Sequence, residues 1–125
     1  MPLLCIEMLF DTLPTRFWSY TAPTTGGITV TTPVTIYSPN IGDRAYIKNV
    51  SLWNYVVSGS TVVEIASSGS VLTVLWRGEV GQYCPGVAMQ FDPPLRGGAG
   101  AAITLQCLSG GQKVWPNVSG FFESS

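Results

Sequence analysis

Seven carboxylates and three cysteines are the side chains of this chain with reactive potential, and there is no histidine to work with them. Acid–base catalysis needs two titratable groups held near each other. Glu7, Asp11, Asp43, Glu64, Glu79, Asp92 and Glu123 fall in different segments, most of them beside turns where a carboxylate is simply hydrated. A glycosidase-type pair would have to be assembled in space, and nothing in the spacing promotes one. Without histidine there is no Ser–His or Cys–His nucleophile. Cys5, Cys84 and Cys107 are far apart, show no CxxC spacing and have no histidine to join at a metal. Cys107 shares a phase with Ile103 and Leu105, which reads as a small buried hydrophobe. The expectation is therefore no enzyme, no metal and no cofactor. With histidine missing, function should not titrate near neutral pH.

Two other motifs lose their chemical meaning in context. Arg96-Gly97-Gly98-Ala99-Gly100 lacks the Lys-Ser/Thr pair of a phosphate loop and opens no helix, so it reads as a hairpin between two strands. Asn117-Val118-Ser119 matches a glycosylation sequon, which has no use in a chain made in the cytoplasm. Met1 to Phe10 is interrupted by Glu7 and has no basic start, so it does not read as a secretory leader. No run approaches the roughly 20 apolar residues that span a bilayer, so no membrane is expected. Six basic against seven acidic residues give a net charge of −1, which offers nucleic acid no electrostatic footing.

The elements that would carry any site are short and β-like. Thr15–Ala22 holds Phe17, Trp18 and Tyr20. Ile28–Tyr37 alternates well but contains Pro33, so the segment is split, bulged or at an edge. Arg44–Tyr55 is the strongest strand, with a change of phase near Lys48-Asn49 that predicts a β-bulge. Thr61–Ala66, Val71–Val80, Val87–Phe91, Ala101–Leu108 and Lys113–Glu123 follow, separated by Ser/Gly/Pro clusters. Asp92-Pro93-Pro94 must leave its ladder, and Ser109-Gly110-Gly111-Gln112 reads as a tight hairpin. About eight short strands at regular spacing predict an all-β, antiparallel, jelly-roll-like β-sandwich. Residues 1–14 are an N-terminal arm or first strand, and residues 15–125 a single sandwich domain. The expected core is Ile47, Val50, Leu52, Val74, Trp76, Met89, Phe91, Ile103, Leu105 and Val118.

The surface is the more informative part. Only 10 % of residues are charged while 46 % are hydrophobic, an unusual balance for a lone small domain. It predicts a surface partly covered by other subunits, hence a homo-oligomer, with a trimer as the expected form. Candidate subunit contacts are Leu3, Leu4, Ile6, Met8 and Phe10 in the arm, together with Trp18, Trp53, Tyr55 and Trp115. Trp53-Asn54-Tyr55 and Trp115 also suit a platform for stacking a sugar, since large rings with a polar handle serve either purpose.

The order of segments from Asp43 to Glu123, about two-thirds of the chain, resembles small β-sandwich structural proteins of tailed-bacteriophage virions. The residues that carry the resemblance are an extended lead-in at Tyr37-Ser38-Pro39, a strand at Ala45–Leu52 and a segment Phe91-Asp92-Pro93-Pro94-Leu95. A Gly-rich turn, Ala102-Ile103-Thr104-Leu105 and a last strand from Val114 to Gly120 complete it. The resemblance implies a virion protein present in many copies, made in the host cytoplasm: most of all a capsid decoration (cement) protein. Its partners would be the major capsid protein or connector and tail subunits. The alternatives are a tail, collar or fibre component, or a carbohydrate- or receptor-binding module.

Overall fold

Ala102–Cys107 illustrates how the sequence pattern becomes structure: Ile103, Leu105 and Cys107 are buried and the intervening residues are half-exposed. Successive side chains of a strand point to opposite faces, so this period of two fixes one core face and one outer face. The computed structural model describes residues 16–21, 27–28, 31–55 and 59–124. Among these, the strands are β1 (Phe17–Thr21), β2 (Val34–Tyr37), β3 (Asp43–Asn54), β4 (Ser60–Ser68), β5 (Leu72–Gly81), β6 (Gly86–Ala99), β7 (Ala102–Cys107) and β8 (Val114–Ser124). They form two four-stranded antiparallel sheets, ordered β1-β8-β3-β6 and β2-β7-β4-β5.

First pairs with last, second with seventh, third with sixth and fourth with fifth. This is a long antiparallel ribbon wound over itself, which is the jelly roll. The two sheets bury Ala45, Ile47, Val50, Leu52, Val63, Ile65, Val80, Ile103, Leu105, Cys107, Val114 and Val118 between them.

The predicted bulge in β3 is present. Ile47 faces Gly120 and Asn49 faces Ser119 across the β8 ladder, leaving Lys48 as the extra residue. Ala45 and Ile47 therefore point inward before the bulge, and Val50 and Leu52 after it. On the other side of β3, Asn49 pairs with Gln90 and Ile47 with Leu95, so Phe91 to Pro94 drop out of register. Two prolines there have no N–H to donate. The strand nevertheless continues beyond them to Ala99, because Arg96 and Ala99 pair again with Tyr46 and Arg44.

Several expectations need correction. The Arg96–Gly100 turn shrinks to its end: only Gly100, at φ 66°, adopts the left-handed backbone. Neither that connection nor Ser109–Gln112 makes a hairpin; each carries the chain from one sheet to the other. Turn residues specify a reversal of direction and say nothing about which sheet receives the next strand. In the core set, Val74 is 41 % exposed and Met89 42 % exposed. Val74 lies just before a second bulge, at Leu75, where Ile65 faces Trp76 but Ala66 faces Val74, so Val74 takes the opposite phase to Trp76 and points outward. Met89 holds the inward phase opposite Val50, but β6 is an edge strand and its margin is open. Trp76 and Phe91, both half-buried, meet edge-to-face at 6.4 Å between ring centres.

Trp18 belongs to the interior rather than to a subunit contact. It is buried, stacks on Tyr37 at 4.7 Å and 8°, and donates its indole N–H to the Phe121 carbonyl at 3.1 Å. The proposed contacts Leu3, Leu4, Ile6, Met8 and Phe10 lie outside the described residues, as does Cys5.

Candidate functional site

The outer face of the β1-β8-β3-β6 sheet can be read row by row from the register. Trp115, Trp53 and Gly86 make one row, and Thr21, Asn117, Ser51 and Ala88 the next. Ser19, Ser119, Asn49 and Gln90 follow. Phe17, Phe121, Tyr46 and Arg96 form the fourth row. Two aromatic rows thus bracket two rows of small and amide side chains without a charge. Tyr46 and Phe121 stack at 4.8 Å and 7°, as cross-strand neighbours on one face do.

Trp53 and Tyr55, at the carboxyl end of β3, remain exposed, at 52 % and 67 %. Tyr83, in the loop that leads into β6, is 93 % exposed. Gly86 makes room for the Trp53 indole: a Cβ there would come within 2.8 Å of the ring. Trp115, opposite Trp53, is half-buried, and its ring nitrogen finds no hydrogen-bond partner among the described residues. Of the four candidates in this part of the chain, two are therefore displayed together, one is partly covered, and Trp18 is in the core.

The residue between the two displayed rings holds this end together. Asn54 is buried and donates from Nδ2 to the Val80 carbonyl at 3.1 Å and to Gln112 Oε1 at 2.8 Å. Its backbone N–H donates to the Pro85 carbonyl at 2.7 Å, and that of Tyr55 to the Lys113 carbonyl at 2.8 Å. One side chain thus ties β3 to β5 and to the connection between β7 and β8. Sequence reading picked out the rings here and missed the amide pin between them.

At the opposite end of the same face, Phe17, Ser19, Lys48, Asn49, Ser119 and Gly120 line a groove of about 470 Å³. Its position follows from the bulge, which turns Lys48 out of the ladder. Gly120 is required beneath it, since any Cβ would fall against the Tyr46 carbonyl. The bulge was legible in the sequence, the groove beside it was not.

The titratable groups form no catalytic constellation among the described residues. Glu64 is buried and accepts from Arg77 at 2.8 Å, so it is not one of the carboxylates that are simply hydrated beside a turn. Burial pushes the Cys107 thiol up. Burial, and then the Asp43 charge, raise Tyr37. No group of three or more metal-ligating side chains occurs among the described residues.

No protein-family model and no curated protein matches the chain. Solved structures that align with it include the Drosophila NLP core, described in terms of pentamer formation and histone binding: 17 % identity, 86 % of this chain and 98 % of that one, TM-score 0.49. The globular domain of zebrafish complement 1qA aligns at 12 % identity over 85 % of this chain and 95 % of that one, TM-score 0.47. A chain of the cyanophage Pam1 capsid asymmetric unit aligns at 11 % identity over 85 % and 83 %, TM-score 0.41. These likenesses bear on neither partner nor activity.

Proposed function

We propose that this protein is a non-enzymatic structural component of a tailed-phage virion, a decoration (cement) protein that binds and stabilises the capsid surface as a homo-oligomer. The observation that carries the reading is the display of Trp53, Tyr55 and Tyr83 at one end of the sandwich, anchored by the Asn54 pin. Rigid aromatic side chains with a polar tip are what the centre of a protein interface uses, because they bury much area at small entropic cost. The low charge of the chain and the Asp43–Glu123 resemblance favour the same reading. The pairing of buried Glu64 with the exposed Arg77 and the dispersal of the remaining described carboxylates favour binding over catalysis. A place in the tail, collar or fibre would use the same surface against connector or tail subunits.

Co-sedimentation with purified particles tests the docking end. Wild-type protein should pellet with particles at saturable stoichiometry. Trp53→Ala should weaken binding by roughly tenfold or more, as loss of an aromatic anchor does. Equal binding by wild type, Trp53→Ala and Tyr55→Ala would remove this end from the interface.

A further inference from the structure

We infer that the groove beside the β3 bulge is a binding site for an acidic sugar residue, of the uronic or sialic acid class. The groove holds four kinds of group that such a ligand engages. Phe17 is 55 % exposed, although it sits in a strand whose next residue is core, and presents an apolar plate. Asn49 Nδ2 donates to Ser119 Oγ at 3.3 Å, which leaves the amide oxygen, its second N–H and the Ser119 hydroxyl proton to be used. Ser19 lies across from Ser119 in the next strand. Lys48 is turned into the groove by the bulge and has no carboxylate partner among the described residues.

The chemistry fits a pyranose better than other ligands. A sugar ring has one face of C–H bonds that lies on an aromatic plate, and vicinal hydroxyls that both donate and accept. A side-chain amide next to a hydroxyl answers both functions, and a carboxylate on the ring answers the ammonium. A volume near 470 Å³ admits one or two such rings. An extended peptide would add to a free strand edge, but the groove lies on the face of the sheet, over β8 and β3, which are interior strands, and the free edge of β1 is on the side away from β8. Nucleic acid would need several cations, and this groove has one. The floor is backbone rather than side chain: Gly120 lies against Tyr46, so the groove is built into the sheet. Along β3 the four-residue step from Asn49, which lines the groove, to Trp53 spans roughly 13 Å, so a single sugar ring here leaves Trp53 free. Such a site does not depend on incorporation into a particle.

The test is an NMR titration of the full-length protein with D-glucuronic acid, N-acetylneuraminic acid, D-glucose and sodium acetate, following backbone amides. Shifts should be confined to Phe17–Ser19, Lys48-Asn49 and Ser119-Gly120. An acidic sugar should bind about three- to fivefold more tightly than glucose, the increment of one exposed charge pair. Lys48→Met should abolish that preference and leave the weak glucose response. Phe17→Ala should weaken both sugars by about fivefold or more while the remaining spectrum stays folded. Three results would overturn the assignment. One is no shift at these residues with any sugar at tens of millimolar. Another is acetate binding as tightly as glucuronate, which would make this a bare anion site. The third is binding unaltered by both variants.

Discussion

Asn54→Leu is the perturbation that most directly probes how the aromatic end is held. The substitution keeps the approximate size of the side chain and removes its polarity. The hydrogen bonds to Val80 O and Gln112 Oε1 disappear. Each is worth about 1 kcal/mol net, but both acceptors are then left in a buried place, and an orphaned buried group costs about 1–3 kcal/mol. The extra apolar burial of leucine offsets part of this, so the expected loss is about 2–4 kcal/mol. Gln112→Leu removes the shared bond and leaves the Val80 bond in place. The double variant should lose less than the sum, with a coupling of about 1 kcal/mol from the shared bond. Urea unfolding followed by tryptophan fluorescence gives all three values, provided the slope m stays constant. A change within about 0.5 kcal/mol for Asn54→Leu, or strict additivity in the double variant, would refute the pin.

Leu105→Ala should destabilise the domain by about 3–4 kcal/mol, read in the same assay. Three carbons are lost at about 0.8 kcal/mol each, and the site, fully buried between β2 and β4, cannot collapse. Gly120→Ala should lower stability by about 1–3 kcal/mol or prevent folding, since the added carbon meets backbone that cannot yield. The raised Cys107 thiol makes stability fall with rising pH: above about pH 8.5 the unfolded thiol ionises first, and the loss ends only when the folded thiol ionises too. Cys107→Ala should flatten the slope of unfolding free energy between about pH 8 and 10; an unchanged slope would put the titration elsewhere.

The sandwich was legible because its strands alternate and its turns carry Gly, Pro, Ser and Asn. The Lys48 bulge was legible for the same reason, as a visible change of phase between Ile47 and Val50. The second bulge was not: Leu72-Thr73-Val74-Leu75-Trp76 is apolar at so many positions that either phase fits, and Val74 was assigned inward. Met89 was in the right phase, but nothing local says that its strand is an edge. Phe17, Trp18 and Tyr20 are all aromatic, so residue type does not separate the inner ring from the outer ones. Only the pairing of β1 with β8 decides which of them meets Tyr37 inside. Trp53 and Tyr55 were found through residue type. Their support by Asn54, Gln112 and Val80 depends on residues 26 to 58 positions apart, a distance that local patterns do not reach. The same holds for the Phe17–Lys48–Ser119 groove, assembled from three strands.

Copy number in purified virions tests most directly whether this chain covers a particle. Quantitative mass spectrometry against isotope-labelled peptides from this chain and from the major capsid protein gives the ratio. A decoration protein predicts a fixed ratio to the capsid subunit, of order one or a simple fraction, the same in independent preparations. Absence from washed particles, or a ratio that drifts toward zero with each wash, would contradict it.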